Sequence, residues 1–212
     1  MSNIVMGRAG EADMPPPVIA SMFKFRKQVF QDLLGWEVNS EDGMETDRFD
    51  ALDPVYMIAR SPQYHIEGCW RLLPTTGPYM LREVFPAMLG GHPAPRDPEV
   101  WELSRLAVLP PKAMERERSR LCPITRRMFQ AVADFGFRHG IKRYVFVTSV
   151  GVERILKRMG MPVSRFGSGK AMRMGRVLSV VLWVEVNDQA FRAAYGPEAG
   201  MPASVDSLPL AA

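Results

Sequence analysis

Apolar residues recur at helical spacing in three stretches of the chain and at alternating spacing in five. Between Val18 and Leu34, the positions Ile19, Met22, Phe23, Val29, Phe30, Leu33 and Leu34 line one side of an amphipathic helix. Pro15, Pro16 and Pro17 precede it and Gly35 ends it. Ile124 to Phe137 predicts a second helix through Ile124, Met128, Val132 and Phe135, ending before Gly140; Val152 to Met159 predicts a third, stopped by Gly160 and Pro162. Val55 to Arg60 and His65 to Leu73 carry β-branched and aromatic residues around Ser61 and Pro62, the pattern of a hairpin. Val100 to Leu109, Tyr144 to Val150 and Arg176 to Val186 read as three further strands, and Arg82 to Leu89 as a short helix. In Val100 to Leu109 one set of alternate positions is Trp101, Leu103, Arg105 and Ala107, and the other holds Glu102 and Ser104. Glu102 is therefore expected to face a cleft or the surface.

These elements mix without strict strand–helix alternation, which predicts an α/β fold, a mixed twisted sheet with helices on both faces. The irregular Gly90 to Pro98, the charged connector Lys112 to Arg120 and a frayed tail from Gly196 separate or follow them. Residues 1–195 are expected to form a single domain and 196–212 the tail.

Charge changes the picture more than composition does. The 212 residues are 47% hydrophobic and 24% charged, enough apolar material for a full core, and the net charge is only +4. Up to Leu106, however, 10 Lys and Arg face 15 Asp and Glu, whereas afterwards 17 face 8. Asn39 to Asp53 concentrates Glu41, Asp42, Glu45, Asp47, Asp50 and Asp53; taken alone, such a run reads as a solvated loop. The longest strongly apolar run, Val177 to Val184, is far short of the roughly 20 residues that span a bilayer. With two cysteines and no secretory leader pattern, the expected compartment is a reducing cytoplasm. His65, His92, His139, Cys69 and Cys122 show no metal-ligand spacing, so no metal is expected, and the two cysteines read as core residues.

Specific strings go further than patterning. FRKQVF from Phe25, GW at Gly35, ETDRFDALDPVY from Glu45, CWRLLPTTGPYML from Cys69, WELSRLAV from Trp101, YVFVTSVGVERILKRMG from Tyr144 and SRFG from Ser164 follow one another at fixed intervals. In this order they closely resemble the acyl-homoserine-lactone synthases, the autoinducer synthases of bacterial quorum sensing. The resemblance covers most of residues 18 to 190. It implies an acyltransferase (GNAT)-like three-layer sandwich and two substrates, S-adenosylmethionine and a fatty acyl thioester on acyl carrier protein. The amine of S-adenosylmethionine is acylated, and its carboxylate then displaces methylthioadenosine to close the lactone. S-adenosylmethionine is a substrate here, and no cofactor is expected.

Carried over by position, the family's charged set falls on Arg26, Asp47, Asp50, Arg71, Glu102 and Arg105, with Phe30 and Trp36 as aromatic companions and Ser104 beside them. Asp47 and Asp50 can face the sulfonium and ammonium of the substrate. Phe30 and Trp36 can enclose its adenine or sulfonium. Arg26, Arg71 or Arg105 can hold its carboxylate or brace the acidic side chains, the latter being preferred for Arg71 and Arg105. A free α-amine titrates at about 7.7 to 8.0, so a modest base suffices; Glu102, directly or through one water, is the candidate.

Lys112 to Arg143 holds nine cations against three anions, and its Arg126, Arg127 and Arg143 are the candidate contacts for an acidic carrier protein. Arg116 to Pro123 contains no glycine to cradle a pyrophosphate, which favours the carrier over free acyl-CoA. Phe146, Thr148 and Ser149 are assigned to the acyl chain. Where members making 3-oxoacyl products offer a threonine hydroxyl this chain has Phe146, so an unsubstituted chain is expected, with Thr148 or Ser149 as the alternative donors. A coenzyme A-dependent N-acyltransferase acting on another amine and a nucleic-acid-binding protein using the basic half are the rival readings. Neither a helix-turn-helix nor an RNA-binding signature supports the second.

Overall fold

A computed structural model describes residues 3–109 and 122–201, so the connector Lys112 to Arg120 and most of the tail lie outside the described residues. Among the described residues no helix is long and apolar enough to cross a membrane. The chain divides into two compact units, neither contiguous in sequence: Met1–Leu73 with Leu103–Met128 and Arg173–Val177, and Pro74–Glu102 with Phe129–Met172 and Leu178–Ala212.

In the first unit, β1 (Asn3–Gly7) runs antiparallel to β4 (Val55–Arg60), and β4 to β5 (Ile66–Pro74), pairing Tyr56 with Arg71 and Met57 with Trp70. Helix α1 (Pro16–Lys27) enters behind Pro15, whose extended backbone and missing N–H suit a helix start. Its apolar face joins Met22, Phe25, Val29 and Phe30 to Tyr56, Ile58, Cys69 and Ala107 in one core. The helix then widens into a π-turn over Gln28–Leu33, where Leu34 N–H donates to Val29 O at 3.0 Å, and ends at Gly35 with φ +64°. The acidic segment is not a solvated loop. It folds as the hairpin β2 (Ser40–Glu41) and β3 (Met44–Glu45), whose turn Asp42–Gly43 has both φ positive, followed by a 3₁₀ turn, Arg48–Leu52. Glu45 at its centre is fully buried.

The second unit is built on the opening residues of β6 (Val100–Val108), which pair in parallel with β7 (Arg143–Ser149), Glu102 opposite Val145. β7 runs antiparallel to β10 (Val177–Glu185), placing Phe146 opposite Leu182, and β10 is antiparallel to β8 (Val163–Arg165). The strand β9 (Met172–Met174) also pairs with β10. One parallel ladder among antiparallel ones makes the sheet mixed, as the pattern predicted. The helices are α2 (Met80–Glu83), α3 (Pro123–Arg138), α4 (Val150–Arg158) and α5 (Asp188–Tyr195). The helix expected over Arg82 to Leu89 is split instead, because Pro86 has no N–H to continue α2 and begins a separate 3₁₀ turn, Pro86–Leu89. β1 and α5 are elements that the apolar pattern did not predict. α5 is only two turns long and is fixed by Asn187, whose side chain accepts from Ala190 N at 3.0 Å, and by buried Ala190, Phe191 and Ala194.

β6 also departs from expectation. Trp101, Glu102, Leu103 and Ser104 are all buried, so both faces are covered, and Glu102 does not reach the surface. The alternation then breaks at Arg105, whose φ is +58°.

Gly136 on α3 is a close approach. A Cβ there would lie 2.8 Å from the hydroxyl of Tyr144, which donates to Val132 O at 2.9 Å. Gly136→Ala should therefore lower stability by about 1 kcal/mol, since overpacking at 1–3 kcal/mol outweighs a helix-propensity gain of about 1. Thermal unfolding checks this; a raised melting temperature would mean that Tyr144 moves aside at no cost.

Candidate active site

Five elements of the first unit, α1, β3, the 3₁₀ turn, β5 and β6, converge on one buried set of charges. Asp47 caps the 3₁₀ turn, accepting from Phe49 N at 2.9 Å, while Asp50 reaches back to accept from Asp47 N at 2.8 Å. This reciprocal capping box presents both carboxylates to the arginines of α1, β5 and β6. Arg26 grips Asp50 in a bidentate pair at 2.7 and 3.1 Å and turns its Nε to Glu45 at 2.5 Å. Arg71 holds Asp47 at 2.6 and 3.1 Å, reaches Asp50 at 2.8 Å and donates from Nε to the Ser104 hydroxyl at 3.1 Å. Arg105 closes the ring, at 2.9 Å from Glu45 and 2.8 Å from Asp47. Tyr56 adds a phenol donating to Asp50 at 2.9 Å.

Three guanidiniums thus face three carboxylates. Arg26, Arg71 and Glu45 are at most 1% exposed, whereas the Asp47 side chain, at 16%, is the most exposed of the three carboxylates. Burial alone would push Asp50 up, but the charges of Arg26 and Arg71 with their hydrogen bonds outweigh it and hold the carboxyl at about 2. Burial likewise works against the charge of Arg26, and Asp50 and Glu45 overcome it, leaving its pKa above the ordinary value. Tyr56 is raised by burial and by the charge of Asp50. Removing one member of such a set costs about 3–5 kcal/mol, because it strands an opposite charge out of water. The network is therefore a fixed electrostatic frame.

Aromatic rings extend this frame. The Arg105 guanidinium lies 5.5 Å from the centre of the Phe30 ring, and Phe30 stacks on Trp36 at 5.1 Å and 26°. Cys69 donates its thiol to Arg105 O at 3.6 Å; burial pushes that thiol up to about 12, so it is no nucleophile at neutral pH.

The second unit holds Glu102, Phe146, Thr148, Ser149 and Arg143 among the assigned residues. Glu102 accepts from the N–H groups of Met80 at 2.9 Å and Leu81 at 2.6 Å, and so anchors the first turn of α2. Phe146 is buried and shares a face of β7 with Thr148. Ser149 instead caps α4, accepting from Val152 N at 3.1 Å. Of the three basic candidates, Arg126 and Arg127 belong to the first unit and Arg143 to the second. Arg143 is paired with Glu185 at 2.8 Å and lies 5.5 Å from the Trp183 ring centre.

Glu45 and Tyr56 were missed as members of the network. Both stand inside the string beginning at Glu45, but nothing in local patterning marks Glu45 as the one buried acid among six.

The autoinducer synthase family matches residues 14–193. An acyl-homoserine-lactone synthase of Aliivibrio fischeri strain ES114 is 42% identical over 181 residues, 85% of this chain and 92% of that protein. The crystal structure of the acyl-homoserine-lactone synthase LasI superposes with a TM-score of 0.84 at 36% identity, covering 97% of this chain and 98% of that one. BjaI, a coenzyme A-dependent acyl-homoserine lactone synthase solved with S-adenosylmethionine and isopentyl-CoA, superposes with a TM-score of 0.80 at 25% identity, covering 99% and 96%. The expected α/β acyltransferase-like fold is thereby borne out. The chain belongs to the autoinducer synthase family, whose enzymes make acyl-homoserine lactones.

Proposed function

We propose that this enzyme acylates S-adenosylmethionine from an acyl carrier protein thioester, with the charge network as the frame of the S-adenosylmethionine site. The buried, balanced network, with Asp47 as its most exposed carboxylate, is the observation that carries this reading. Asp47 faces the cationic end of the substrate, while Glu45 and Asp50 keep the three arginines in place. Phe30 and Trp36 supply an aromatic surface for adenine or the sulfonium. Glu102, held by two backbone amides, accepts a proton from the substrate ammonium directly or through one water. The neutral amine then attacks the thioester carbonyl, the C–N bond forms, and the C–S bond breaks, the leaving thiolate taking up the proton that the new amide nitrogen gives up. In the second step the substrate carboxylate attacks the carbon next to the sulfonium. The sulfonium takes the electron pair of the breaking C–S bond and leaves as methylthioadenosine. This displacement is intramolecular, so orientation supplies most of what it needs.

The carrier protein is favoured as donor by the outer face of α4. Arg154, Lys157 and Arg158 are exposed there around a 39% exposed Ile155. The acid of that helix, Glu153, is buried and tied to Arg165 and Lys157 at 2.8 Å, leaving a net positive face with an apolar centre. Arg126 and Arg127 remain candidates in the other unit, whereas the charge of Arg143 is already met by Glu185. The similarity to BjaI supports a second reading, in which the thioester is on coenzyme A.

Turnover on acyl carrier protein and coenzyme A thioesters of equal chain length, with the lactone identified by mass, tests the choice. Reversing Arg154 and Arg158 to Glu should raise KM for the acyl carrier protein about tenfold and leave KM for S-adenosylmethionine unchanged. Equal use of both donors, with no effect of the reversal, would favour the coenzyme A reading.

Phe146 has no hydroxyl to meet a 3-oxo group, and leaving that carbonyl unpartnered costs about 1–3 kcal/mol. Unsubstituted lactones should dominate, and Phe146→Thr should shift the product ratio toward 3-oxo lactones when the two thioesters compete. Mostly 3-oxo product from the unaltered enzyme would point to Thr148 or Ser149.

The frame has its own acid signature. The folded pKa of Asp50 is depressed from 3.8 to about 2, so its stabilisation is complete above about pH 4 and is lost as pH falls through that interval. The loss is on the order of 2 kcal/mol. In urea titrations the stability gap between the enzyme and Asp50→Asn should be wide at pH 7 and shrink toward pH 2. A gap independent of pH would remove Asp50 from the ionised frame.

A further inference from the structure

Trp36 is held in an unusual way. One face of its indole stacks on Phe30, yet its buried Nε1 atom has no hydrogen-bond partner. A buried donor without an acceptor is costly in a folded protein and calls for an explanation. Against the pyrrole edge of the same ring lies Gly175, in the turn between β9 and β10. A Cβ built on Gly175 would sit 3.3 Å from Trp36 Cδ1 and 3.7 Å from Nε1, and the residue itself has φ +57°. The contact is reciprocal, since a Cβ on Gly35 would lie 3.6 Å from the guanidinium of Arg176. All four residues belong to the first unit.

The glycine of each segment therefore faces the large side chain of the other. This fixes the indole by van der Waals contact alone and leaves its N–H uncommitted. We infer that Gly175 is a positioning residue: the Gly175–Arg176 turn sets the plane of Trp36 so that its indole N–H donates to an acceptor of bound S-adenosylmethionine. Carboxylate, ribose hydroxyl and adenine ring nitrogen are the acceptors that this substrate offers. The inference rests on the assignment of Trp36 to the S-adenosylmethionine site.

The test compares Gly175→Ala, Gly175→Asn, Trp36→Phe and Trp36→Ala in steady-state kinetics with both substrates varied. Asparagine tolerates a positive φ, so it adds the Cβ contact with less backbone strain and guards against a variant that does not fold. Either Gly175 variant should raise KM for S-adenosylmethionine by about threefold to tenfold, with kcat and KM for the acyl donor within about twofold. Trp36→Phe, which keeps the stack and loses the N–H, should raise the same constant. In the Trp36→Ala background a Gly175 substitution should add nothing. If Trp36→Ala raises KM for S-adenosylmethionine and the Gly175 variants do not, the positioning role is wrong while the site stands. Equal changes in both substrate constants would reduce Gly175 to a structural part and overturn the inference. An unchanged constant in Trp36→Ala would overturn the site assignment and the inference together.

Discussion

The pairing of three arginines with three carboxylates inside the first unit is the constraint around which its neighbouring elements are arranged. None of the six could be buried alone, because a lone ion out of water costs several kcal/mol. They arrive on five pieces of chain: Arg26 on α1, Glu45 on β3, Asp47 and Asp50 at the 3₁₀ turn, Arg71 on β5 and Arg105 on β6. Their mutual satisfaction is thus a condition on the folding of the whole unit. The hairpin turn at Asp42–Gly43 and the capping box at Asp47 and Asp50 serve it by fixing an acidic segment that would otherwise stay in solvent. Arg105 serves it at some local expense. Its backbone takes a left-handed conformation in mid-strand, which a residue with a Cβ adopts at a cost of about 1–3 kcal/mol when the surroundings impose it. Two carboxylates and the Phe30 ring receive its guanidinium and impose that conformation.

Glu102 and Arg105 stand three residues apart on one strand, yet their surroundings differ in kind. Arg105 meets ionised side chains, whereas Glu102 meets two backbone amides at the start of α2. The two amides fix the direction of the Glu102 carboxylate, which is what the proposed proton transfer asks of it.

Much of this was legible in the sequence and some was not, for identifiable reasons. The hairpin of β4 and β5 and the helices α1, α3 and α4 follow from apolar period and breakers, and with the π-turn counted as the continuation of α1 their observed bounds differ from the expected ones by at most two residues. The charged set was legible only through the order of whole strings, since an isolated acidic run has the composition of a solvated loop. Burial of Glu45 depends on Arg26 and Arg105, 19 and 60 residues distant, and no local pattern carries that information. The left-handed turn at Arg105 was equally invisible, because alternation assumes that every residue of a strand advances the pleat. α5 escaped because two turns with three buried residues barely rise above a polar background.

The π-turn at Gln28–Leu33 has a consequence for how such a site changes over generations. A π-turn is an α-helix that has absorbed one extra residue. Loss of a single codon there would let the helix close regularly while the chain beyond kept its angle about the axis, because the wide turn had already taken up the surplus residue. Phe30, inside the widened turn, would shift against Trp36, whereas Arg26, on the turn before, would keep its place. One deletion can therefore re-space the aromatic pair and leave the ion pairs of Arg26 intact, a change that substitution alone does not make.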